Sequence, residues 1–218
     1  MAEKIYSIKI KEAFSEKCGC PLCSLRTLLE QDEIERILGA SMMEPDIRKE
    51  TNRKGFCKSH LEKLFKAGNK LPMALMLSTH IEELGGKLFK GDGKRSAAAY
   101  TEARKSCYLC NRVNLFMGRV MDNICYLYSS DESFRKLLGE QEYFCKTHSG
   151  KLLEMAEKCL SKKERSAFCA EVAGINQRYL DTLKEDLDWF CKKFDYRYAK
   201  EDWKNSKDAI ERTVKYLS

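Results

Sequence analysis

Two blocks of metal-ligand residues recur in this chain at almost the same spacing. The first is Cys20-Pro21-Leu22-Cys23, followed by Cys57 and His60 in Phe56-Cys57-Lys58-Ser59-His60. The second is Cys107-Tyr108-Leu109-Cys110, followed by Cys145 and His148 in Phe144-Cys145-Lys146-Thr147-His148. From Cys23 to Cys57 is 34 positions, and from Cys110 to Cys145 is 35. A C-x-x-C pair sets two sulfurs on one small knuckle, and a C-x-x-H pair at a helix start can complete a tetrahedron. The repeat predicts two Cys3His zinc sites. Cys20, Cys23, Cys57 and His60 would staple a first half, and Cys107, Cys110, Cys145 and His148 a second. Four protein ligands close a zinc site, whereas catalytic zinc keeps a position open for water, so both sites read as structural. An Fe–S cluster is the alternative cofactor. A thioredoxin-like redox pair would need a βαβ context that the chain lacks.

Cysteine usage supports metal over disulfides. The chain has 11 cysteines, an odd number. Six belong to the two blocks, leaving Cys18, Cys125, Cys159, Cys169 and Cys191. Cys18 has Lys105 as its counterpart in the second block and reads as a neighbouring thiol, not a ligand. The other four lie in helical patterns and read as small core residues. No membrane-length apolar stretch is present, and residues 1–11 have charges spread through them with no apolar signal-peptide core, so the expected location is cytoplasmic.

The 218 residues carry a formal charge of +7. Two zinc ions, each held by three thiolates and an imidazole, would bring that to about +5. Forty basic residues are mixed with 33 acidic ones, which is not the signature of a dedicated nucleic-acid binder.

Only three prolines and a helical apolar period point to an all-α fold. Ile5–Ile10 alternates apolar and polar and reads as extended, with a short helix following near 11–17. Leu25, Leu28, Leu29, Ile34, Ile37 and Leu38 form one helix face, with Asp32, Glu33 and Glu35 opposite and Gly39 as the stop. Further helices are predicted from Pro45 to Asn52, Lys58 to Ala67, Pro72 to Leu88, Asn111 to Tyr128, Asp131 to Leu138, near Lys146, Lys163 to Lys193 and Glu201 to Leu217. The domain reading is a first zinc-stapled repeat over 1–90, a linker over 91–100, a second repeat over 101–185 and a C-terminal extension over 186–218.

Other chemistry-bearing residues are sparse. His80 and Glu83, three apart on a helix face, could form an acid/base pair or sit as ordinary neighbours. The segment from Trp189 to Trp203 interleaves aromatic and basic residues. It can stack on nucleic acid or pack on the core, with Asp195 and Arg197 locking a turn. No phosphate loop, H-E-x-x-H or nucleophile elbow is present.

Cys20-Pro21-Leu22-Cys23, Pro45-Asp46-Ile47-Arg48, Gly55-Phe56-Cys57 with His60, and Lys193-Phe194-Asp195-Tyr196-Arg197 together resemble an uncharacterised family of prokaryotic proteins known by a domain-of-unknown-function label. The second block departs from the first motif at Tyr108, which replaces the knuckle proline. The resemblance covers most of the chain and implies two metal sites but no substrate. The expected function is a zinc-binding helical protein that holds a protein or small-molecule ligand between its two halves. The competing readings are an enzyme using His80, Glu83, Asp195 and Arg197, and a nucleic-acid binder.

Overall fold

The computed structural model describes residues 5–17, 19–88 and 93–218. Among these residues there are eleven α-helices and no strand. The helices are α1 (Ile5–Ser15), α2 (Pro21–Leu38), α3 (Pro45–Lys54), α4 (Lys58–Lys66), α5 (Lys70–Leu88), α6 (Gly93–Lys105), α7 (Tyr108–Ser130), α8 (Glu132–Gly139), α9 (Lys146–Cys159), α10 (Lys162–Lys192) and α11 (Ala209–Leu217). Short 3-10 turns cover Ala40–Met43 and Tyr196–Tyr198. None of the described helices is long and apolar enough to cross a membrane.

The chain forms two compact units, and their borders are not the expected linker. One unit is Arg26–Met117; the other joins Met1–Leu25 to Gly118–Ser218. The borders fall inside α2 and α7. Residues 93–100 of the expected linker are helical, while 91 and 92 lie outside the described residues.

In the inner unit, 26–117, the apolar face of α2 (Ile34, Ile37, Leu38) packs with Leu64 of α4, Met73 and Met76 of α5, and Leu109 of α7. Met42 joins this core, whereas its neighbour Met43 is exposed. Helices α3 and α5 are held together by Arg48, whose Nη2 donates to the Leu75 carbonyl at 3.1 Å and to Thr79 Oγ1 at 2.9 Å. Glu33 is not on a solvated face as expected. It is buried, because Arg36 (2.7 Å) and Arg112 (3.2 Å) both pair with its carboxylate.

The terminal unit is built round aromatic side chains. Phe14, Phe134, Phe144 and Phe168 are fully buried, and the Phe14 ring lies 5.0 Å from Phe134 and 6.0 Å from Phe144. This explains why residues 5–10 are helical and not extended. Ile10, Ala13 and Phe14, spaced i, i+3, i+4, are buried together only on a helix. Gln141 Nε2 donates to the Phe14 carbonyl at 2.6 Å, and Lys11 pairs with Asp131 at 2.5 Å. Helix α10 begins at a capping box, with Ser161 and Glu164 each satisfying the other's backbone N–H. It buries Phe168, Val172, Ile175, Tyr179 and Leu183 along one face.

The last helix is shorter than expected, since residues 199–208 form a loop. Lys193, only 6% exposed, explains this. Its ammonium donates to the carbonyls of Tyr198 (2.7 Å), Ala199 (3.0 Å) and Glu201 (2.5 Å), engaging acceptors outside any helical ladder. Trp189 Nε1 donates to the Asp202 carbonyl at 3.0 Å, and Trp203 packs against Phe190 with ring centres 5.6 Å apart. Trp189, Phe190 and Trp203 therefore organise the loop, while Phe194 and Tyr196 point to solvent.

Candidate metal centres

Each ligand pair sits at the start of a helix. Cys20 precedes α2, and Cys23 lies in its first turn; Gly19 before them adopts φ +98°. Pro21 opens α2, where its missing N–H costs nothing and its fixed φ suits the helix. Cys107 and Cys110 stand in the same relation to α7. Cys57 is the extended N-cap of α4 and Cys145 that of α9, with His60 and His148 in the first turns. Helix starts present unpaired N–H groups and the positive end of the dipole, both of which favour a thiolate. The Cys110 backbone N–H, for example, points at Cys107 Sγ at 3.5 Å.

All eight expected ligands meet in two clusters, but not in the expected partners. Cys20 and Cys23 meet Cys145 and His148, and Cys57 and His60 meet Cys107 and Cys110. The pairing is nested: the outer pairs of the chain close one cluster and the inner pairs the other. The sequential pairing failed for two physical reasons. Helix α2 continues for 15 residues beyond Cys23 as a rod of about 22 Å, so the chain does not fold straight back on its own knuckle. Loop length also discriminates weakly. Closing the outer pair across the larger gap costs only about 1 kcal/mol more, against about 10–16 kcal/mol for a structural zinc site.

The geometry of both clusters fits one tetrahedral ion. With Zn–S near 2.3 Å and Zn–N near 2.0 Å, ligand atoms should stand about 3.5–3.8 Å apart. In the outer cluster His148 Nδ1 lies 3.7 Å from Cys20 Sγ, 3.3 Å from Cys23 Sγ and 3.2 Å from Cys145 Sγ, and Cys23 Sγ is 3.6 Å from Cys145 Sγ. In the inner cluster His60 Nδ1 lies 3.1 Å from Cys57 Sγ, 3.3 Å from Cys107 Sγ and 3.4 Å from Cys110 Sγ; Cys57 and Cys110 sulfurs are 3.9 Å apart. A disulfide would hold its sulfurs at about 2.05 Å, far inside these separations.

Without an ion, crowding of the thiols disfavours multiple charges. Hydrogen bonding with Cys145, followed by burial, pushes the Cys20 thiol up to about 11. Burial and the nearby Cys107 push Cys110 up to about 12. A bound dication is what would let three thiolates coexist.

The inner cluster has a further layer that the motif did not reveal. His60 presents Nδ1 to the sulfurs, and its other nitrogen, Nε2, lies 2.8 Å from Glu30 Oε1. That is an ion-pair distance off the line of a well-aimed hydrogen bond, since Nε2 otherwise finds no acceptor. Lys63 holds the second Glu30 oxygen at 2.5 Å. Burial would raise the Glu30 carboxyl, but Lys63 and His60 outweigh it and keep it below its ordinary value. A carboxylate behind a metal-binding imidazole fixes the tautomer and strengthens the ligand. Tyr108, in the knuckle itself, accepts from Arg36 Nη2 at 2.8 Å, which ties the cluster to the Glu33–Arg112 network. Helical spacing alone places Glu30 near Ile34, and the carboxylate–imidazole pairing rule was the available signal.

The remaining candidates have other partners. His80 Nδ1 donates to the Asn52 carbonyl at 2.7 Å, and its ring lies over Gly55 so closely that a Cβ there would stand 2.4 Å from Nε2. Glu83 pairs with Lys87 at 2.6 Å. Asp195 caps the 3-10 turn and binds Arg197 through two oxygens, with Nη2 at 2.6 Å, which is the turn lock that the sequence suggests. Of the other cysteines, Cys125 is buried as expected, whereas Cys169 is half-buried and Cys159 and Cys191 are exposed. Cys18 lies outside the described residues.

No curated protein and no solved structure matches the chain. A family model described as "Family of unknown function (DUF6062)" matches residues 1–218. The chain, with its two four-ligand clusters, therefore belongs to this family of unknown function.

Proposed function

We propose that the protein is a two-zinc scaffold that acts by binding, with both metals structural. The observation that carries this reading is ligand saturation. Each cluster brings four protein ligand atoms within 4.8 Å of one another, with the imidazole nitrogen 3.1–3.7 Å from its three sulfurs, a full tetrahedral set that leaves no position for water or substrate. Mononuclear geometry also argues against a four-iron cube, whose ligands bind separate irons and stand farther apart than ligands sharing one ion. The protein should carry about two zinc ions per chain by elemental analysis and be colourless. One metal or none in protein purified without chelator, or iron with visible absorbance, would overturn this.

The surface for a ligand is a cleft of about 770 Å³ in the terminal unit, lined by residues 139–142, α10, α11 and the 199–208 loop. Its lining is charged but balanced. Arg178, Lys204, Lys207 and Arg212 face Glu140, Glu142, Asp186 and Asp208. A polyanion such as nucleic acid would meet four carboxylates there, whereas a polypeptide segment bearing both signs of charge is complementary. The expected partner is therefore a protein. A low-salt mobility-shift assay with random DNA and RNA should show no binding, and cross-linking through the cleft should be lost in Arg178→Glu. Salt-sensitive nucleic-acid binding would reverse the assignment.

A further inference from the structure

The inner unit has a cleft of its own, of about 190 Å³, lined by residues of α3, α5 and α6 and by Ser106. The sequence explains why it stays open. Helix α6 packs on α5 but buries no residue. The α6 residues that line the cleft with Leu84 of α5 are Ala99 and Ala103, four apart on one helix face. Two methyl groups do not fill the space that a pair of larger apolar side chains would, and the gap keeps an apolar wall. Asn52, Ser106 and His80 add polar groups, and the His80 ring is fixed by its 2.7 Å bond to the Asn52 carbonyl.

The charges round the cleft sum to zero, but two of them are not matched by contact. Lys54 pairs with Glu50, and Lys87 with Glu83, each at 2.6 Å. Arg53 shares that same Glu50 at 3.1 Å, so one positive charge is in excess on α3. Glu102, on α6, makes no ion pair among the described residues. Its charge still reaches Arg53: the guanidinium is raised first by its bonds to Glu50, and then by the fields of Glu102 and Glu83. Arg53 and Glu102 thus attract each other across the cleft without touching.

We infer that this cleft binds a small zwitterion, a free α-amino acid with an apolar side chain. Its carboxylate meets Arg53, its ammonium meets Glu102, and its side chain lies on Leu84, Ala99 and Ala103. An isolated anion such as phosphate would be repelled by Glu102 and would compete with Glu50 and Glu83 for the cations. An amine alone would leave Arg53 unmet. A zwitterion gives each charge its opposite through charge-assisted hydrogen bonds. The size agrees, because the volume is below the roughly 300–1,000 Å³ of drug-sized pockets and equals about six water molecules. This site is separate from the partner-binding cleft of the terminal unit and depends neither on that reading nor on the identity of the metals.

Isothermal titration calorimetry on the full, metal-loaded chain tests the inference. The probes are L-leucine, L-valine and L-alanine, the deaminated acid and the methyl ester of each, and inorganic phosphate. At least one amino acid should bind one to one with a Kd of about 1 mM or tighter. Its deaminated acid and its ester should each bind at least about tenfold more weakly, since each leaves one of the two facing charges unmet. Glu102→Gln removes the ammonium's partner and Ala103→Leu fills the gap, and each should weaken binding about tenfold or more. Both variants should keep the metal content and melting temperature of the parent, because α6 buries neither side chain. If either fails to fold, the comparison of probes on the parent chain still decides. No heat from any amino acid up to about 10 mM overturns the inference. So does equal binding of an amino acid and its two analogues, tighter binding of phosphate, or binding unchanged in folded Glu102→Gln and Ala103→Leu.

Discussion

At the scale of single residues, two buried polar groups, Glu33 and Lys193, carry much of the specificity. Burial alone would raise the Glu33 carboxyl, but Arg36 and Arg112 outweigh it and hold it below its ordinary value. A lowered folded pKa contributes stability that is present above the unfolded value near 4.5 and is lost as pH falls through the folded value. Glu33→Gln should therefore lower stability at pH 7 by about 2 kcal/mol and flatten the decline below pH 4.5. Chemical denaturation at several pH values checks both parts. Lys193 gives a second case. Lys193→Met keeps the apolar stem but leaves three carbonyls without their donor, at a cost of about 1–3 kcal/mol. Hydrogen exchange should quicken across residues 199–206 before it changes elsewhere. Neither role was legible beforehand, because an isolated Glu or Lys in a helical pattern reads as a solvated face until its partners, 79 residues away for Glu33 and Arg112, are known.

The helices themselves were largely readable. The apolar period of α2, α7 and α10 and the stop at Gly39 follow from side-chain spacing that any tertiary context would respect. Misreadings fell where local pattern and tertiary partner disagreed. Helix α1 alternates apolar and polar like a strand, yet Ile10, Ala13 and Phe14 reach the core only as a helix. Helix α6 buries no residue, so no apolar stripe announced it and its glycine-rich start read as a linker. The α3–α4 junction shows how tightly an element can depend on one backbone conformation. Gly55 has φ +59° and ψ −155°, its carbonyl accepts the Tyr108 N–H at 2.9 Å, and His80 covers its Cα. Gly55→Ala combines a strained φ with the 2.4 Å approach to His80 and should cost about 2–4 kcal/mol. Adding His80→Ala should recover the steric part but not the backbone part. Thermal melts of the single and double variants decide this, and equal melting points for wild type and Gly55→Ala would refute it.

For the whole molecule, the nested pairing is the feature most open to direct attack. Cys57→Ser with Cys107→Ser removes two ligands of one cluster and should lose about one zinc ion of two. Under sequential pairing the same double variant would damage both sites and lose both ions. Cys20→Ser with Cys57→Ser should do the opposite: it damages both observed clusters and loses both ions, where sequential pairing would lose only one. The eight ligands were legible because their spacing is chemical. Their partition was not, because spacing constrains which residues share a knuckle and says little about which distant helix start a knuckle meets.

Nesting also sets a timetable for synthesis. The inner ligands are complete once the chain reaches Cys110, whereas the outer cluster must wait for His148. At translation rates of about 5–20 residues per second, the inner site can load metal about 2–8 s before the outer one is even encoded in emerged chain. The Cys20–Cys23 knuckle, first of all to leave the ribosome, stays without its partners through the making of everything in between.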